Sequence, residues 1–89
     1  MLKHYDIRIH GRVQGVFFRA SAQSNAHHYG ITGYAENEPD GTVYIEAEGD
    51  EESLQKFIEW CHQGSSSAKV EKVDYAEGEI KNFRGFEVR

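Results

Sequence analysis

The architecture of the chain turns on the stretch Tyr5-Asp6-Ile7-Arg8-Ile9-His10-Gly11-Arg12-Val13-Gln14-Gly15-Val16-Phe17-Phe18-Arg19. Its first six residues alternate, with Tyr5, Ile7 and Ile9 on one side and Asp6, Arg8 and His10 on the other. That period of two predicts a half-buried strand. Gly11 to Gly15 breaks the alternation. From Phe18 the small or apolar residues Ala22, Ala26 and Tyr29 recur at helical spacing, and Gly30 stands where a left-handed residue closes a helix. The stretch is therefore a strand, a glycine loop and the start of a helix.

Working outward, Ile31 to Asn37 reads as a second strand, ended by the turn sequence Glu38-Pro39-Asp40-Gly41. Thr42 to Glu48 is a third strand, with Val43, Ile45 and Ala47 towards the core and Tyr44, Glu46 and Glu48 on the other side. Glu46, Glu48 and Asp50 to Glu52 form an acidic run that this pattern assigns to a solvated edge. A second helix starts after Gly49, with Asp50 as its expected N-cap and a stripe of Leu54, Phe57, Ile58 and Cys61. Trp60 flanks that stripe as a packing residue, and Gly64 closes the helix. Val73 and Tyr75 suggest a fourth strand, Phe86 and Val88 a short terminal one. The order β-α-β-β-α-β plus a final strand predicts an α+β, ferredoxin-like two-layer sandwich over residues 1–89, with two helices on one face of an antiparallel sheet.

Composition bounds the function. An 89-residue chain with 38% hydrophobic and 12% aromatic residues can bury one modest core despite a mean hydropathy of −0.71. No apolar run is long enough to span a membrane, and Met1 to Asp6 lacks a secretory signal. Cys61, the single cysteine, suits a reducing compartment. A soluble, cytoplasmic monomer is expected. The net charge of −5 argues against a nucleic-acid binder. Residues 1–19 carry four cations (Lys3, Arg8, Arg12, Arg19) against Asp6 alone, a local +3 that leaves −8 for the rest. Such a cationic zone in an acidic body suits a small anionic ligand.

Gly11 to Arg19 is the place for that anion. The first turn of a helix presents unpaired N–H groups and a partial positive charge, two glycines let the backbone curl around a ligand, and Arg19 can fork two oxygens. The same glycines could merely turn the chain. The loop lacks the Gly-Lys-Ser/Thr of a nucleotide-triphosphate loop and has no Cys, Ser or Asp nucleophile. No carboxylate cluster accompanies it to hold magnesium, and His4, His10, His27 and His28 form no complete metal set. No cofactor and no metal are expected. Hydrolysis here would be direct attack by water, which suits a substrate whose leaving group departs without protonation. In a β-α-β unit the ends of the first two strands share one edge, which brings Asn37 towards the loop. Its carboxamide can hold a water but cannot take its proton, so the substrate phosphate would accept that proton. On spacing alone, ordinary turn chemistry before Pro39-Asp40-Gly41 is the better reading of Asn37.

Gly11-Arg12-Val13-Gln14-Gly15-Val16-Phe17-Phe18-Arg19 resembles the acylphosphatase signature G-x-V-Q-G-V-x-F-R at every fixed position, and Gly33-Tyr34-Ala35-Glu36-Asn37-Glu38-Pro39-Asp40-Gly41 resembles the family's G-W-V-x-N-x-x-D-G. The resemblance covers essentially the whole chain. It implies hydrolysis of the carboxyl–phosphate bond of a small-molecule acyl phosphate. It implies further that Arg19 binds the phosphate, with the loop Gln14, Gly15, Val16, Phe17 and Phe18, and that Asn37 orients the water. Tyr34, Ala35 and Ser65 depart from the usual Trp, Val and Pro. A non-catalytic anion-binding module on the same fold would share every motif. An RNA-binding domain on this frame would need basic, aromatic central strands, whereas Val43 to Glu48 is acidic.

Overall fold

A computed structural model describes residues 1–89. The elements run β1 (Leu2–Arg12), α1 (Phe18–Tyr29), β2 (Thr32–Asn37), β3 (Val43–Asp50), α2 (Glu51–Gln63), β4 (Lys69–Gly78) and β5 (Phe86–Val88). They build one five-stranded sheet of order β4-β1-β3-β2-β5. The pairs β1–β3, β1–β4 and β2–β3 are antiparallel, as expected, but β5 joins β2 in parallel. The sheet is therefore mixed. β5 has only three residues, too few for periodicity to say how it pairs.

The alternation of β1 works as it reads. Ile7 and Ile9 are wholly buried and lie opposite Ile45 and Val43 across the β1–β3 ladder. Phe18, Ala22 and Ala26 of α1 and Leu54, Phe57, Ile58 and Cys61 of α2 close over the same core. Each large side chain so buried contributes about 2 kcal/mol. Trp60 bridges the two helices, its ring centroid 5.1 Å from Phe18 and 6.0 Å from Phe57. Burial pushes the Cys61 thiol well above its ordinary pKa, so it packs as a small apolar residue and is no nucleophile. Asp50 does precede α2, but its side chain makes no capping bond; one oxygen instead accepts from the Met1 amine at 3.1 Å.

The acidic run of β3 departs from expectation. Glu46 and Glu48 are each only 5% exposed. The segment between β4 and β5 crosses this outer face of the sheet: the backbone N–H groups of Lys81 and Phe83 donate to Glu48, and the Lys81 ammonium donates to Glu46 at 2.7 Å. Tyr34 and Tyr44 hydroxyls also donate to Glu46. His4, 1% exposed, completes the cluster. A solvated edge is replaced by a covered polar network, because strand alternation assigns a face but does not say what lies over it.

Gly11 sits at a register shift between β1 and β4, with φ of 125°. A Cβ placed there would lie 2.1 Å from the Lys69 carbonyl oxygen. Gly11→Ala should therefore cost about 2 kcal/mol through strain and displacement of β4. Urea denaturation reads this directly, and a variant as stable as wild type would contradict it.

Candidate active site

The end of β1, the loop that follows it and the first turn of α1 meet the end of β2 around a cleft of about 250 Å³. Its walls include Gly15, Phe17, Phe18, Arg19 and Asn37. Arg19 and Asn37, 18 residues apart in sequence, thus face one space. Gly15 takes φ of 72° with nothing near a prospective Cβ, so it bends the loop without contacting the core. Of the two glycines, Gly15 shapes the cleft, whereas Gly11 serves the sheet.

Three contacts hold this loop. Val16 is buried, and its carbonyl accepts from the Ser65 hydroxyl at 2.6 Å. Ser65 was a departure without an evident role; a proline there could not make this bond. Gln14 does not point its amide at the cleft. It donates to the carbonyls of Glu38 at 2.8 Å and Thr42 at 2.9 Å, fastening the loop to the turn that follows Asn37. Within that turn, Asp40 accepts from the Thr42 amide at 2.9 Å and hydroxyl at 2.6 Å. These bonds hold the Asp40 carboxyl below its usual pKa. Arg8 donates to the Thr42 hydroxyl at 2.8 Å and lies over the Tyr44 ring. The anchoring leaves the Asn37 carboxamide, exposed and without a hydrogen bond in the chain, beside a fixed backbone.

Arg19 is half-buried and is the only charged residue lining the cleft. Its guanidinium donates to the main-chain oxygen of Arg89. Arg89 is positioned by its own N–H on the Ala35 carbonyl at 2.8 Å and by its guanidinium 3.9 Å above the Tyr34 ring. The ring that replaces the usual tryptophan thus remains an aromatic support for the end of the chain. No local sequence pattern links residues 19 and 89, so this neighbour was missed. Phe17, the residue before α1, has φ of 60° and is 81% exposed at the cleft rim.

The cleft offers one guanidinium, the unpaired N–H groups at the start of α1 and one free carboxamide. It holds no Cys, Ser or carboxylate nucleophile. His4, Asp6 and Glu46 do approach one another within metal-ligand range, but they lie on β1 and β3 away from the cleft, and Lys81 already occupies Glu46. No helix is long and apolar enough to cross a membrane.

Comparison with known proteins identifies the family of the chain. The acylphosphatase sequence profile matches residues 5–88. An acylphosphatase of Thermus thermophilus is 48% identical over 80 residues, 90% of this chain and 91% of that protein. One from a Nocardioides species is 45% identical over 84 residues, covering 94% of this chain and 85% of its own length. The crystal structure of acylphosphatase from Bacillus subtilis superposes with a TM-score of 0.95 at 38% identity, over 100% of this chain and 99% of that one. These relatives, matched along most of their length, are acylphosphatases, and the chain belongs to the acylphosphatase family.

Proposed function

We propose that the chain is a metal-independent acylphosphatase, in which Arg19 and the N–H groups of residues 15–19 bind the phosphoryl group and Asn37 holds the attacking water. The observation that carries this reading is the shared cleft: a guanidinium and a free carboxamide lining one small space, with no nucleophile between them. Water attacks phosphorus as the bond from phosphorus to the acyl oxygen breaks. The carboxylate leaves with that bonding pair, and a phosphate oxygen takes the water's proton. The oxygens of the phosphoryl group carry the negative charge of a loose transition state, and Arg19 and the helix N–H groups stabilise it there. Because the leaving carboxylate is a weak base, no general acid is required.

The test is hydrolysis of benzoyl phosphate by purified protein in the presence of a chelator. Turnover that survives the chelator supports the reading. An inert protein that still binds inorganic phosphate would instead be an anion-binding module. Asn37→Ala separates the roles within the site. It should lower kcat on the order of 10²-fold with KM nearly unchanged, because positioning a water affects the reaction step and not substrate capture. A large rise in KM at constant kcat would overturn the assignment of Asn37.

A further inference from the structure

Phe17 is the residue of the site that the fold does not need. Its backbone is left-handed, φ 60° and ψ 24°, a conformation that costs a bulky side chain on the order of 1–2 kcal/mol and a glycine almost nothing. Gly15, two residues earlier, meets a similar requirement without strain. The ring of Phe17 then projects into solvent, 81% exposed, while the neighbouring Phe18 is 1% exposed and fills the core. A strained backbone and an exposed apolar ring are two unfavourable features at one position, and the ring takes no part in the hydrophobic core that could offset them.

The ring stands on the rim of the cleft that Arg19 and Asn37 share. Val88, 40% exposed, and Ala20 continue the apolar part of the wall. The cleft is divided in character: guanidinium, N–H groups and carboxamide for an anion and a water, and an apolar rim beside them. A phosphoryl group bound at Arg19 must direct its acyl substituent out of the loop, where this rim is the surface available to it. We propose that Phe17 is a specificity-determining residue, a platform for the acyl group that favours aromatic or branched apolar acyl phosphates over small ones such as acetyl phosphate. The proposal rests on the hydrolase reading above and adds the substrate class to it. An aromatic acyl group would pack against the Phe17 ring in an offset or edge-to-face arrangement, whereas an acetyl group is too short to cover it.

The experiment compares kcat/KM for benzoyl phosphate and acetyl phosphate in wild type, Phe17→Gly and Phe17→Asn. Glycine and asparagine both tolerate the left-handed backbone, so each removes the ring without forcing the loop to move. The benzoyl-to-acetyl ratio should fall about tenfold in both variants, which is 1.4 kcal/mol of discrimination. The loss should appear in KM for benzoyl phosphate, because the ring touches the acyl group equally in ground and transition states. Phe17→Tyr should restore the ratio. A ratio that stays constant while both substrates slow together would make Phe17 a loop-shaping residue and overturn the proposal. Wild-type protein that hydrolyses neither substrate would remove the hydrolase reading itself, whereas hydrolysis of both at an unmoved ratio removes only the platform.

Discussion

Arg19→Ala is expected to lower kcat/KM for benzoyl phosphate by about 10³-fold and to leave the fold intact. Arg19 is the only charged residue lining the cleft, so no neighbour can take over its role. A guanidinium presents a planar fork matched to two phosphoryl oxygens, and charge-assisted bonds of this kind are stronger than neutral ones. Removing a preorganised donor from the developing charge of a transition state costs about 3–4 kcal/mol, which corresponds to some 10²–10³-fold in rate. Loss of substrate capture adds to it in kcat/KM. The structural cost is small, because the half-buried side chain makes one hydrogen bond within the chain, to the Arg89 main-chain oxygen. Arg19→Lys should fall between, since it keeps the charge and loses the fork. Circular dichroism beside the assay separates chemistry from unfolding. A folded Arg19→Ala protein within tenfold of wild type would contradict the proposed mechanism.

The unequal legibility of this chain has physical reasons. Strand β1 and helix α2 could be read because each buries one face, and burial imposes a period: Ile7 and Ile9 on one, Leu54, Phe57, Ile58 and Cys61 on the other. The loop between β1 and α1 was legible as a glycine turn leading into a helix, with Arg19 in its first turn. Asn37 was half-legible. Its spacing fits a turn, and only the parallel course of β1 and β2 within the β-α-β unit brings it to the loop. What escaped lies in contacts across sequence distance. Gln14 reads as one more loop residue, yet its amide reaches carbonyls 24 and 28 positions away. Ser65 reads as part of a short serine loop, and its hydroxyl holds Val16. Neither contact leaves a periodic trace. The departures Tyr34 and Ser65 therefore acquire roles in supporting the site, whereas Ala35 is simply buried in the core.

The network around His4 escaped for the same reason and leads to the largest expected effect on stability. His4→Leu should destabilise the protein by about 3 kcal/mol near pH 5.5. Both ring nitrogens face carboxylates, Nδ1 at 2.7 Å from Glu48 and Nε2 at 2.8 Å from Asp6, with Glu46 at 3.3 Å. Neutral imidazole can donate from only one nitrogen, so the imidazolium alone satisfies both sides. Burial opposes that charge, but the hydrogen bonds to Glu48 and Asp6 outweigh it and raise the pKa of His4 above 6.5. Burial likewise raises the pKa of the two glutamates. Donors from Lys81, Tyr34 and Tyr44 on Glu46 overcome it, as do the Lys81 N–H, His4 and the Phe83 N–H on Glu48, leaving both below 4.5. Replacing His4 by an apolar residue strands carboxylates in a covered site, and breaking a buried pair from one side costs about 3–5 kcal/mol.

The pH dependence follows from these directions. The contribution of His4 is fully present below pH 6.5 and is lost as pH rises through its higher folded value. The contribution of the glutamates is present above pH 4.5 and is lost as pH falls through their lower folded values. The network is therefore strongest between about pH 4.5 and 6.5. Urea denaturation of wild type and His4→Leu across pH 4 to 9 should give a difference in stability that peaks in that window and shrinks towards alkaline pH. A difference independent of pH would mean that His4 is neutral in the folded protein and contributes only packing against Phe83, whose ring centroid lies 6.0 Å away. The segment carrying Lys81 and Phe83 leads directly into β5 and on to Arg89, the neighbour of Arg19. Loosening it should therefore reach the cleft as well: in folded His4→Leu protein, KM for benzoyl phosphate should rise a few-fold more at pH 5.5 than at pH 8.5, relative to wild type at each pH.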